Sequence, residues 1–119
     1  MKVTTEAGHF DNGKPELQYI LSMEGLEQIA AVGTFGARKY GQWNYKTGMP
    51  WLKLGGSLSR HLRAWLMGED LDKESNLPHL AHMIYDGLML LDYAKNHKEQ
   101  DDRYKDGITP SAISAGLPF

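Results

Sequence analysis

The chain has 119 residues, with 13 Lys and Arg against 15 Asp and Glu and a formal net charge of -2. That is the size of one ordinary domain, and its charge excludes a general binder of nucleic acid or of anionic membranes. The absence of cysteine excludes disulfides, thiolate zinc sites and cysteine nucleophiles together.

Residues 1–21 carry Gly8, Gly13 and Pro15 without a sustained period and read as an extended arm. Ser22 then caps an amphipathic helix whose apolar positions Met23, Leu26, Ile29, Ala30, Gly33, Ala37 and Tyr40 recur every three or four residues, with Gly41 ending it. Residues 42–56, rich in glycine and aromatics, read as a loop. Ser57 caps a second helix with the stripe Leu58, Leu62, Trp65 and Leu66, ending at Gly68. After an acidic connector, a third helix is predicted from about Asn76 to His97, with Pro78 in its first turn. It is apolar around more than half its girth, so it belongs in the middle of a bundle or at a subunit interface. Residues 98–119 form a charged segment followed by a Gly/Pro/Ser tail. The expected fold is all-α, a small bundle of three main helices occupying 22–97 and completed by oligomerisation. No apolar run approaches the roughly 18 residues that span a bilayer, and the first ten residues lack a signal-peptide layout, which predicts a cytoplasmic protein.

On the third helix, His79, His82 and Asp86 fall within a sector of about 60°, continued by Tyr93 and His97. Two imidazoles and a carboxylate on one helical face share a direction and can ligate a divalent cation; the plainer alternative is a hydrogen-bonded polar seam. His61 on the second helix and Glu69, Asp70, Asp72 and Glu74 of the connector supply further ligands, or a solvated turn with helix caps. Carboxylate oxygens suit Mg²⁺ and imidazoles lean towards Mn²⁺, Zn²⁺ or Fe, so the metal stays open. A second constellation is cationic and aromatic: Lys14, Lys39, Tyr40, Trp43, Asn44, Arg60 and Arg63. Arg60 and Arg63 are one turn apart and could grip a phosphate chain, while Tyr40 or Trp43 stacks on a base and Asn44 meets its edge. The phosphate-binding loop, the serine-hydrolase elbow, the zincin helix, the dinucleotide fingerprint and an adjacent His-Asp pair are all missing.

Asp11-x-Gly-Lys-Pro-x-Leu17, Phe35-Gly-Ala-Arg-Lys-Tyr-Gly41 with Asn44, Arg60-His61, Gly68-Glu-Asp-Leu-Asp72, Glu74-Ser75 and His79-Leu-Ala-His82 occur in that order. The string resembles the phage-type dATP/dGTP diphosphohydrolase N-terminal domain family, a MazG-like all-α group. The resemblance implies an oligomeric (dimer or tetramer) enzyme that uses Mg²⁺ or Mn²⁺ to cleave deoxynucleoside triphosphates into monophosphate and pyrophosphate. It would work in the host cytoplasm if phage-encoded, with nucleotide rather than nucleic acid or membrane as partner. The wider group holds its metals with Glu-x-x-Glu and Glu-x-x-Asp on successive helices. Here Glu24-x-x-Glu27 and Glu69-x-x-Asp72 lie far apart. The assignment adopted is therefore a metal held by Glu69, Glu74, His79, His82 and Asp86, with His61, Glu69 and Glu74 as the catalytic candidates. The alternatives are a non-catalytic nucleotide sensor or sponge, and a helical interaction subunit with a structural stripe.

Overall fold

The computed structural model describes residues 13–105; the readings for residues 1–12 and 106–119 lie outside them. Three helices form the fold, and the described residues contain no strand: α1 (Met23–Tyr40), α2 (Trp51–Leu66) and α3 (His79–Asn96). Leu17–Tyr19, Asn44–Thr47 and Lys98–Gln100 are short 3-10 turns. The all-α expectation is met. None of these helices is long and apolar enough to cross a membrane.

α1 begins and ends where its sequence signals stand. The Ser22 hydroxyl accepts the Gly25 amide at 2.9 Å, which satisfies one of the donors that every helix N-terminus leaves free. Gly41, at φ 105°, turns the chain out of the helix after Arg38 and Lys39.

α2 starts at Trp51, not at Ser57, so Gly55 and Gly56 are helical and the predicted loop is shorter. Distant partners hold this unpromising first turn. The Asp102 carboxylate accepts the Leu52 amide at 2.9 Å, the Trp51 indole donates to the His97 carbonyl at 3.1 Å, and Arg103 lies 4.8 Å from the Trp51 ring centroid. An acidic group at a helix N-terminus and a cation on an indole face are both favourable. The charged segment after α3 thus folds back onto α2.

α3 starts at His79, later than predicted. Proline disfavours the helical conformation in the residue before it, and Asn76 is left-handed at φ 61°. In place of a first helical turn, residues 70–79 form a tight reversal: Leu71 and Pro78 make an antiparallel bridge, and the amides of Asp72 and His79 donate to the carbonyls of Leu77 and Asp70 at 2.8 and 2.9 Å.

The apolar girth of α3 lies where it was expected, against both other helices. Gly33 meets Tyr85 and Phe35 meets His82, while Trp51 reaches His97 and His61 meets His79. Both flanking helices therefore run antiparallel to α3 and parallel to each other. The connection 41–50 must travel back along the bundle, and the lower end of the α3 stripe pins it. Tyr93, fully buried, donates to the Tyr45 carbonyl at 2.7 Å. His97 Nε2 donates to the Lys46 carbonyl at 2.9 Å, and Gly48, at φ 84°, packs on the same imidazole. A Cβ at Gly48 would stand 2.8 Å from His97 Nδ1. Gly48→Ala is therefore expected to cost about 1–3 kcal/mol, and Tyr93→Phe, which orphans a carbonyl, about 1 kcal/mol, both measured by urea denaturation.

Candidate functional site

The parallel arrangement of α1 and α2 opens a groove between them, floored by α3 and closed at one side by the crossover. Its volume is about 770 Å³, within the range of small-molecule sites. Lys39, Tyr40, Trp43, Asn44, Arg60, His61, Asp72, Glu74, His82 and Asp86 all line it. Lys14, Arg63 and Glu69 do not, and neither does the buried His79, which stands behind His61 at the groove's end. Arg63 is exposed on another face of α2, so the paired arginine grip reduces to Arg60. Glu24 and Glu27 are exposed at the opposite end of α1.

At the end formed by the 70–79 reversal, ring and carboxylate groups converge. His61 Nδ1 and His79 Nδ1 are 2.8 Å apart, and a donor atom of each lies within 4.8 Å of an Asp72 carboxylate oxygen. Two ring nitrogens so close either share a proton or aim their lone pairs at a common cation. Cis ligands with bonds of roughly 2.1 Å would stand about 3 Å apart. The three donor atoms can hold a divalent metal, with further positions left for water or substrate.

Each donor is oriented from behind. Glu69 Oε2 lies 3.2 Å from His79 Nε2, yet that buried nitrogen makes no hydrogen bond. Asp72 Oδ2 accepts the Ser75 amide and hydroxyl at 2.9 and 3.0 Å. The Ser75 oxygen meets His82 Nε2 at 2.7 Å. With its proton given to Asp72, that hydroxyl can only accept, so His82 carries its proton on Nε2. The His82 ring stacks on His61 at 4.5 Å between centroids. His82 therefore sets the His61 ring, and Glu74, paired with Lys39 across the groove mouth, ties α1 to the reversal.

Electrostatics favour the ligating forms. Burial, then repulsion from His82, holds His61 below the ordinary imidazole range, and burial also lowers His82. Burial opposes the Asp72 carboxylate, but the Ser75 hydrogen bonds outweigh it and keep the group below its usual range. Asp86 differs. It is buried, its Oδ2 has no partner, and burial pushes its carboxyl up to about 6 despite a hydrogen bond from Ser57 and the nearby Arg60. It stands one turn beyond His82, outside the converging trio.

Of the residues named from sequence, the structure thus gathers His61, His79 and His82 at one end, with Glu69 and Glu74 at its margin. Asp72, weighed beforehand both as a connector ligand and as a cap, joins them, and Ser75, read as a cap, is the addition. Their signal lay in the spacing Asp72-x-x-Ser75, which a capping turn shares.

A pKa raised on folding means that the charged carboxylate destabilises the fold, so the Asp86 contribution is present below about pH 4 and lost as pH rises through about 6. Asp86→Asn is expected to be more stable than the unaltered protein by about 1–3 kcal/mol at pH near 8, the gap closing towards pH near 4, in thermal melts. The lowered histidines act in the opposite sense. In the Asp86→Asn background, stability should fall as pH drops from about 7 to about 5.

No solved structure matches the chain. A curated dATP/dGTP diphosphohydrolase of Salmonella phage PMBT28 is 31% identical over 102 residues, which are 85% of this chain and 34% of that protein. The chain spans about a third of the length of this relative. The family model described as dATP/dGTP diphosphohydrolase, N-terminal, matches residues 4–103. With that match over most of its length, the chain belongs to the dATP/dGTP diphosphohydrolase N-terminal family.

Proposed function

We propose that the groove binds a deoxynucleoside triphosphate, dATP or dGTP, and that the chain hydrolyses it between the α- and β-phosphates to monophosphate and pyrophosphate. The observation that carries this reading is the convergence of His61, Asp72 and His79 at one end of a groove that also holds Arg60 and Lys39. The phage relative's name gives the same substrates.

When bound by that trio, a divalent cation supplies charge neutralisation and Lewis acidity towards a phosphate oxygen. Two nitrogens with one oxygen suit Mn²⁺ better than Mg²⁺. Arg60 and Lys39 neutralise charge that develops on the leaving pyrophosphate. Among the three catalytic candidates, His61 faces His79 and joins the ligands, and Glu69 stands behind His79. Glu74, which lines the groove and pairs with Lys39, takes a proton from the attacking water through its second oxygen. Tyr40 and Trp43, both more than half exposed, form the lip over which the nucleotide enters. The site of action is the cytoplasm of the host cell.

The functional form is a homo-oligomer. Support comes from a stripe on the outer face of α3, Leu80, Ile84, Leu88 and Leu91, which is 41, 48, 49 and 71% exposed. Sedimentation of the purified protein is expected to give a dimer or larger, and Leu88→Lys to shift it towards monomer.

The test of the activity is incubation with each dNTP and NTP plus Mn²⁺ or Mg²⁺, reading pyrophosphate and inorganic phosphate separately. Pyrophosphate release is expected, reduced at least ~100-fold by His61→Ala and by Asp72→Asn. Nucleotide-dependent thermal stabilisation without either product would make the chain a sponge instead.

A further inference from the structure

Asp86 is the one groove carboxyl that the proposed hydrolysis does not use. It is 8% exposed, it lines the groove, and its Oδ2 has no hydrogen-bond partner. Ser57 hydrogen-bonds the same carboxyl, and the second oxygen is buried without a partner. An unpartnered buried acceptor is expensive, and a ligand donor is one thing that compensates it. Tyr45, Met49, Leu54, Tyr85 and Met89 line the groove as well, an apolar and aromatic lining that suits a flat ring, and Arg60 is close enough to Asp86 to act on its charge.

Position along α3 places it further. Asp86 follows His79 by seven residues, two turns on the same face, a rise of roughly 10 Å. That is about the reach from a phosphate held at the trio to the far edge of a purine. A sugar hydroxyl would fall short of it.

We infer that Asp86 reads the nucleobase of the bound nucleotide, accepting N–H donors from its Watson–Crick edge, and that it selects guanine over adenine. The inference rests on the nucleotide reading above. A carboxylate only accepts. Guanine offers two adjacent donors, N1–H and the N2 amino group, for the unpartnered oxygen and for the remaining lone pair of the oxygen that Ser57 holds. Adenine offers one donor beside the acceptor N1, which faces a second acceptor. A site built to bond a ligand N–H discriminates strongly against a ligand that lacks it. Asn44, exposed at the lip, is too shallow for this task.

The experiment is equilibrium binding of dGMP, dIMP and dAMP by calorimetry in the presence of Mn²⁺, using the full chain. These monophosphates have no α–β bond to lose, so binding is read apart from turnover. The unaltered protein is expected to bind dGMP at least about tenfold more tightly than dAMP, with dIMP, which lacks the 2-amino group, between them. Asp86→Asn, which presents one donor and one acceptor, should bring the ratio to within about threefold or favour dAMP; Asp86→Ala should remove the preference without creating a new one. N1-methyl-dGMP tests the same bond with the protein unaltered, and should lose at least about tenfold. A dGMP to dAMP ratio within about threefold in the unaltered protein overturns the inference. So does an equal loss for both nucleotides in Asp86→Asn, which would make Asp86 a positioning residue for Arg60. Pyrophosphate release without an Asp86-dependent preference sinks base reading alone. A dGMP preference without pyrophosphate release sinks hydrolysis alone.

Discussion

Because α1 and α2 both run antiparallel to α3, the chain between them has to return along the bundle, and the site depends on that return. Two antiparallel neighbours joined by a short turn would have closed against each other and left no groove. Here the crossover 41–50 stands off, anchored at Tyr45 and Lys46 by Tyr93 and His97. It brings Trp43 and Tyr45 alongside helices that supply the imidazoles and cations. Trp43 itself is left-handed at φ 66°, a conformation unfavourable for a bulky residue, tolerated where the loop leaves α1.

The polar stripe of α3 divides its work by depth. At its lower end the groups are satisfied by crossover carbonyls and serve structure. At its upper end His79 is buried among partners supplied by the 70–79 reversal, and its ring nitrogen faces another ring nitrogen. Between them Asp86 stays buried and under-paired. Burying ionisable groups lowers stability, and a chain that places two of them beside a groove gives up stability where a ligand can return it.

Much of this was legible beforehand because it was local. Ser22, Gly41 and the three-and-four spacing define α1 without outside help, and the His79, His82, Asp86 line is a property of one helix. What escaped depends on distant partners. Trp51 to Gly56 looks like loop until Asp102 and Arg103 meet it from the far end of the chain. Asn76 and Ser75 look like helix caps until the Leu71 and Pro78 bridge folds the connector back. The same reversal brings Asp72, which the sequence left open as ligand or cap, beside His61 and His79, while Arg63 and Lys14, chosen for their charge, fall outside the groove because charge alone carries no direction.

The central claim is that His61, Asp72 and His79 form a metal centre rather than a hydrogen-bonded seam. Its most direct test is pulsed electron paramagnetic resonance of Mn²⁺ added to protein labelled with ¹⁵N-histidine. Couplings to two imidazole nitrogens, falling to one in His61→Ala, are the predicted result. A bound Mn²⁺ with no imidazole coupling would contradict the account.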